Sequence, residues 1–129
     1  MTFDKAKALR SAEKNLELGR IPAAINEYTQ IVANEPDDFA TINTLGDLHV
    51  RVGNQTAAIS CFHRLAEHYR EQDFDFKAIA VYKKIDRLQP GDTAIVTNLA
   101  DLYAKQDLIV EARAHYLAVV DAHSRSGAV

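Results

Sequence analysis

Apolar residues in this 129-residue chain recur at intervals of three and four for most of its length. Ile42, Leu45, Leu48 and Val52 form one such stripe, and Leu99, Leu102 and Tyr103 another. That period places an apolar face along an α-helix. No alternating segment of useful length points to a strand. Between the stripes fall the helix-ending residues. "GRIP" sets Gly19 after one helix and Pro22 in the first turn of the next. "EPDDF" and "QPGDT" each stop a helix at a proline and offer Asp37, Asp38 or Asp92 as N-caps. "VGNQT" supplies Gly53 as a C-cap and Asn54 as an N-cap. The pattern predicts an all-α fold of about seven helices, over roughly 4–18, 21–34, 38–52, 55–72, 75–88, 92–106 and 108–124.

Four segments of the chain resemble one another. "AAINEYTQIVANEP", "AAISCFHRLA", "KAIAVYKKIDRLQP" and "EARAHYLAVV" each place an alanine four residues before an aromatic: Ala24/Tyr28, Ala58/Phe62, Ala78/Tyr82 and Ala112/Tyr116. The preceding helices share a large–small–aromatic pattern, seen in "LGDLH" (Leu45, Gly46, His49) and "LADLY" (Leu99, Ala100, Tyr103). The set resembles the tetratricopeptide-repeat (TPR) family, whose unit is a helix–turn–helix of about 34 residues. The resemblance covers essentially the whole chain and implies a right-handed solenoid of antiparallel helices with a concave binding groove. Departures stand beside it. The family's tryptophan is replaced by Ala8, Ile42, Phe62 and Val96, and Asp73 and Asp107 hold the place of the turn glycine. Ser11 and Asn15 occupy positions where a large residue and an aromatic are expected, which a terminal unit tolerates on its outer side.

The four alanines lie at 24, 58, 78 and 112, so the intervals are 34, 20 and 34. A regular array would repeat the first interval, so about one helix is missing in the middle. Offsetting the chain by 54 residues against itself restores both prolines, both Ala-Ile pairs and both "DL" steps to register. The expected organisation is therefore one helical repeat domain, 1–129, with units at about 5–36, 39–72, 59–90 and 93–124. The middle two share helix 55–72; the alternative is a short distorted extra turn in that segment.

Composition removes several classes of function. Lys and Arg number 15 against 18 Asp and Glu, a formal net charge of −3, and the longest basic run is Lys83-Lys84. No electrostatic footprint for nucleic acid or an anionic membrane is expected. No run approaches the roughly 18 apolar residues of a membrane span, and the charged start "MTFDKAKALRSAEKN" has no signal-peptide core. A cytoplasmic location is the expectation. One cysteine, Cys61, excludes an internal disulfide framework, and it reads as a half-buried small apolar residue.

Catalytic chemistry is not expected. His49, His63, His68, His115 and His123 are scattered, and His63 with Glu67 supplies at most two metal ligands at i,i+4. His49 holds the aromatic place of its repeat and reads as packing. No glycine-rich phosphate loop or nucleophile elbow occurs. The reading is a non-enzyme with no catalytic residue, no metal and no cofactor.

One column does carry charge. The residue after each small first-helix position is acidic: Glu13, Asp47, Glu67 and Asp101. Asp47 precedes Arg51 by four and Asp101 precedes Lys105 by four, so these residues either form intrahelical ion pairs or line a groove. The family resemblance implies the groove, with Asn43, Asp47, Arg51, Thr97, Asn98, Asp101 and Lys105 joined by Glu13 and Glu67. That set favours a basic segment of another protein, and its acids argue against the carboxylate clamp found in chaperone adaptors of this family. The expected function is a scaffold or adaptor that binds a partner's peptide or helix. The alternative is a self-assembling unit. Under the 54-residue register Phe62, Leu65, Ala66 and Tyr69 correspond to Tyr116, Val119, Val120 and His123, a face followed only by "SRSGAV". A homodimer through that face is the expectation it carries.

Overall fold

The structure is a computed structural model that describes residues 2–127. Every regular element among them is an α-helix: α1 Lys5–Glu17, α2 Ile21–Asn34, α3 Phe39–Arg51, α4 Gln55–Glu71, α5 Asp75–Leu88, α6 Thr93–Lys105 and α7 Ile109–Ser126. The fold class is all-α, as the period of apolar residues dictates. None of these helices is long and apolar enough to cross a membrane.

Local chemistry sets the helix ends. Asp4, Asp38 and Asp92 each accept from backbone N–H groups of the helix they open, leaving Asp37 without that role. Asn54 accepts from the Ala57 N–H at 3.3 Å and opens α4. Pro22 lies in the first turn of α2. Two turns lack the glycine that a left-handed residue usually demands. Asp73 and Asp107 adopt φ of 61° and 59° there, the same conformation that Gly19 and Gly53 adopt in theirs. α7 runs further than its sequence pattern suggests. It takes in Arg125 and Ser126 as well before Gly127 ends it in the left-handed conformation. Ala128 and Val129 lie outside the described residues.

The chain divides into two compact units, residues 1–62 and 63–129, with the boundary inside α4. In the first unit α1 packs on α2 and α2 on α3. Its core gathers Ala12, Ala24, Tyr28, Ile31, Leu45 and Leu48, with Cys61 half-buried against it. α3 and α4 cross at Gly46. A Cβ on Gly46 would lie 2.7 Å from the Phe62 ring, closer than such atoms approach, so only glycine fits the crossing. Val52 departs from its stripe: it caps α3 after the last helical residue and is exposed.

In the second unit α5 packs on α6 and α6 on α7. Leu65, Ala66, Ala78, Tyr82, Ile85, Leu99, Ala100 and Leu102 are all at most 2% exposed. The alanine–aromatic pairs thus have a packing role. Ala24, Ala58 and Ala78 are fully buried, and Tyr28, Phe62 and Tyr82 beside them are nearly so. The pair in α7 differs, because Ala112 is buried while Tyr116 is 40% exposed.

Candidate functional site

In the first unit the polar residues lie on α1 and α3. Asn43, Asp47 and Arg51 stand at successive intervals of four, so α3 carries them on one face. Asn43 is half-buried, and Asp47 and Arg51 are exposed, as is Glu13 on α1. His49 is half-buried with its Nδ1 enclosed, and burial holds its imidazole below the usual histidine pKa. Ser11 and Asn15 are turned toward α2 rather than to an empty outer side. The Ser11 hydroxyl donates to Glu27 Oε1 at 2.6 Å and the Asn15 amide to the same oxygen at 3.1 Å. Their polarity answers a carboxylate on the neighbouring helix. At the other end of α1, Lys5 Nζ reaches Asp38 at 2.9 Å and Glu35 at 3.5 Å. Burial pushes the Asp38 carboxyl up, but the Thr41 hydroxyl, Lys5 and the Thr41 N–H together hold it below the usual range.

The second unit gathers more of the column. Thr97, Asp101 and Lys105 follow one another at intervals of four along α6, with Asn98 beside them. Glu67 on α4 and Asn98 on α6 line one open hollow, together with Arg70, Glu71 and Tyr82. The Arg70 guanidinium donates to Asn98 Oδ1. Beside it stands the Tyr82 phenol, whose pKa is raised by burial and only partly pulled back by Arg70. Glu67 pairs with His63 one turn earlier at 3.4 Å, the surface arrangement expected of an i,i+4 pair.

Asp101 and Lys105 do not pair with each other. Asp101 accepts the Tyr116 hydroxyl of α7 at 2.5 Å, and that bond raises the tyrosine pKa. Lys105, the last residue of α6, turns to the α4–α5 junction. Its Nζ lies 3.0 Å from Asp73 and 3.3 Å from Asp75, and hydrogen bonds to both raise its pKa. Gln106 Nε2 donates to the same carboxylate, 2.7 Å from Asp75 Oδ2. Asp75 is only 4% exposed. A buried carboxylate gains more from a neighbouring cation than an exposed one does, because its hydration is already lost.

Sequence reasoning passed over Arg70 and Asp75. Both carry a signal in the 54-residue register, where Arg70 falls on Leu16 and Asp75 on Ile21. A charge at a place that is apolar in the other module marks a local polar network. Glu71 and Tyr82 carry no such mark.

The C-terminal helix is more open than the helix it matches. Leu65 and Ala66 are buried in α4, whereas Val120 in α7 is 61% exposed, His123 is exposed and Val119 is half-buried. Ile109, Val110 and Leu117, none of them in the expected face, are also exposed. Among the described residues no group of three His, Cys, Asp or Glu side chains is placed to hold a metal ion.

These features define a helical-repeat protein of TPR-like fold. No family model and no curated protein matches the chain. Solved structures do. A crystal structure of MamA is 16% identical with a TM-score of 0.50, over 98% of this chain and 82% of that one. A double mutant of MamA from RS-1 is 14% identical with a TM-score of 0.52, over 95% and 77%. MamA 41-end from Desulfovibrio magneticus RS-1 is 15% identical with a TM-score of 0.51, again over 95% and 77%. At these identities the likeness is one of fold.

Proposed function

We propose that this protein is an interaction module, a scaffold or adaptor without catalytic activity, that binds a basic segment of another protein. The observation that carries the reading is the polar surface of α4 and α6. Arg70 and Asn98 are locked together there, while the Glu67 and Glu71 carboxylates flank them on exposed positions. Side chains fixed on rigid helices lose little entropy on binding, and carboxylates beside a preformed hydrogen-bonding floor suit lysine or arginine side chains. Asn43, Asp47 and Arg51 on α3, with Glu13 on α1, offer a second surface of the same kind in the first unit. Thr97, Asp101 and Lys105 extend the α6 surface. The likeness to MamA supports the architecture alone.

The test uses lysine-rich and glutamate-rich helical peptides of equal length as probes, titrated against the whole chain. The lysine-rich probe should bind, and Asp47→Lys with Asp101→Lys should weaken it at least roughly tenfold, about 1.4 kcal/mol, with the far-ultraviolet helical signal unchanged. Equal binding of both peptides, or indifference to both reversals, would remove the groove assignment.

A second reading, assembly through α7 by way of Tyr116, Val119, Val120 and His123, is favoured by the exposure of Val120 and Tyr116.

A further inference from the structure

We infer that α7 is the element through which two copies of this chain pair, antiparallel and about a two-fold axis at Leu117. The inference rests on the reading that α7 mediates assembly, and it moves the contact to another stripe of the helix. Val110, Arg113, Leu117, Val120 and Ser124 follow one another at intervals of three and four, so they form one line along α7. Val110 is 79% exposed, Leu117 56% and Val120 61%. The buried Ala112 and half-buried Val119 point elsewhere, toward the interior of their own unit. Tyr116 is occupied by its bond to Asp101. Large apolar groups in line on a solvated helix are a surface whose free energy falls on pairing.

Charge selects the occupant and its direction. In an antiparallel pair centred on Leu117, a residue some places before the centre meets the residue as many places after it on the second copy. Arg113, four before, then meets Asp121, four after, and the two-fold makes that contact twice. Leu117 meets itself, Val120 meets Ala114, and Val110 meets Ser124. A parallel pair in the same register would instead set Arg113 beside Arg113 and Asp121 beside Asp121, and like charges in contact repel. Asp121 already accepts the Arg125 guanidinium of its own helix through Oδ2, which holds the carboxylate on the exposed face. A stripe of three large apolar residues is small beside stable interfaces, so the dimer is weak and depends on concentration.

Sedimentation velocity of the whole chain from micromolar to millimolar concentration tests this. Leu117→Asp and Arg113→Asp should each raise the dissociation constant at least roughly tenfold. Made in an Arg125→Gln background, so that no like charge stands four residues after position 121, the double swap Arg113→Asp/Asp121→Arg should bring it back to within about threefold of the Arg125→Gln chain, because the pair is re-formed with its signs exchanged. The helical signal should be unchanged throughout, since all of these positions are exposed. A parent that stays monomeric at millimolar concentration overturns both the register and α7 assembly itself. A dimer that ignores these changes but breaks with His123→Glu overturns the register alone. Failure of the double swap to restore pairing overturns the antiparallel arrangement.

Discussion

Gly46 shows how one missing side chain sets a helix crossing. Glycine inside a helix costs about 0.5–1 kcal/mol relative to alanine, so its presence in α3 has a packing cause. That cause is Phe62, 1% exposed, whose ring edge occupies the space a Cβ would need. The matched pair in the 54-residue register is Ala100 and Tyr116. There the small residue carries a Cβ, and the aromatic is 40% exposed with its hydroxyl on Asp101. Gly46→Leu should lower stability by about 1–3 kcal/mol through overpacking. Phe62→Ala alone should cost about 3–5 kcal/mol as a buried ring, and combined with Gly46→Leu the loss should fall short of the sum of the two, because the ring that clashes is gone. Urea denaturation of the two single variants and the double variant measures the coupling, and strictly additive losses would contradict the contact.

At the scale of the element, the α5–α6 pair is joined by a buried charge as well as by apolar packing. Asp75 opens α5 in the first turn, where the helix dipole favours an acid, and takes hydrogen bonds from Gln106 and Lys105 at the end of α6. Ile21 and Ile109 hold the corresponding place at the starts of α2 and α7. Asp75→Ala should cost about 1.5–3 kcal/mol, the range for a hydrogen-bonded charge whose partners are left behind. Asp73 also touches Lys105, but its side chain is 82% exposed. Asp73→Asn, which removes the charge and keeps a side chain that tolerates the left-handed turn, should therefore cost no more than about 0.5 kcal/mol, since exposed ion pairs contribute little. Thermal melts of the two variants separate these values, and equal losses would remove Asp75 from its structural role.

At the scale of the whole molecule, α4 is one uninterrupted helix of 17 residues, and the division of the chain into compact units falls inside it. We propose that α4 belongs to two repeat modules at once, closing one and opening the next. Arg64 is exposed and lies beside the division. Arg64→Pro removes a mid-helix hydrogen bond and should cost about 3 kcal/mol or more. If the helix is shared, amide protection should fall in α3 and in α5 together, because repeat units are stabilised by their neighbours. Hydrogen exchange that reports loss in one of them alone would mean that α4 serves a single module.

The sequence by itself determined the helices, their order and most of their ends. Those depend on local quantities: the period of apolar residues, the caps at Asp38, Asn54 and Asp92, and the turn positions at Gly19, Asp73 and Asp107. It also marked the alanines and aromatics that pack, because the repeat places each small residue beside a large one. What the tertiary structure decided was the pairing of charges. Spacing alone sets Lys105 opposite Asp101, one turn away on the same helix. In the folded chain Lys105 joins Asp73 and the buried Asp75 instead, and Asp101 receives Tyr116. Likewise Ser11 and Asn15 are explained only by Glu27, 16 and 12 residues away along the chain. A side-chain charge chooses among all the groups the fold brings within a few ångströms, and burial weights that choice. Neither quantity is written in local spacing.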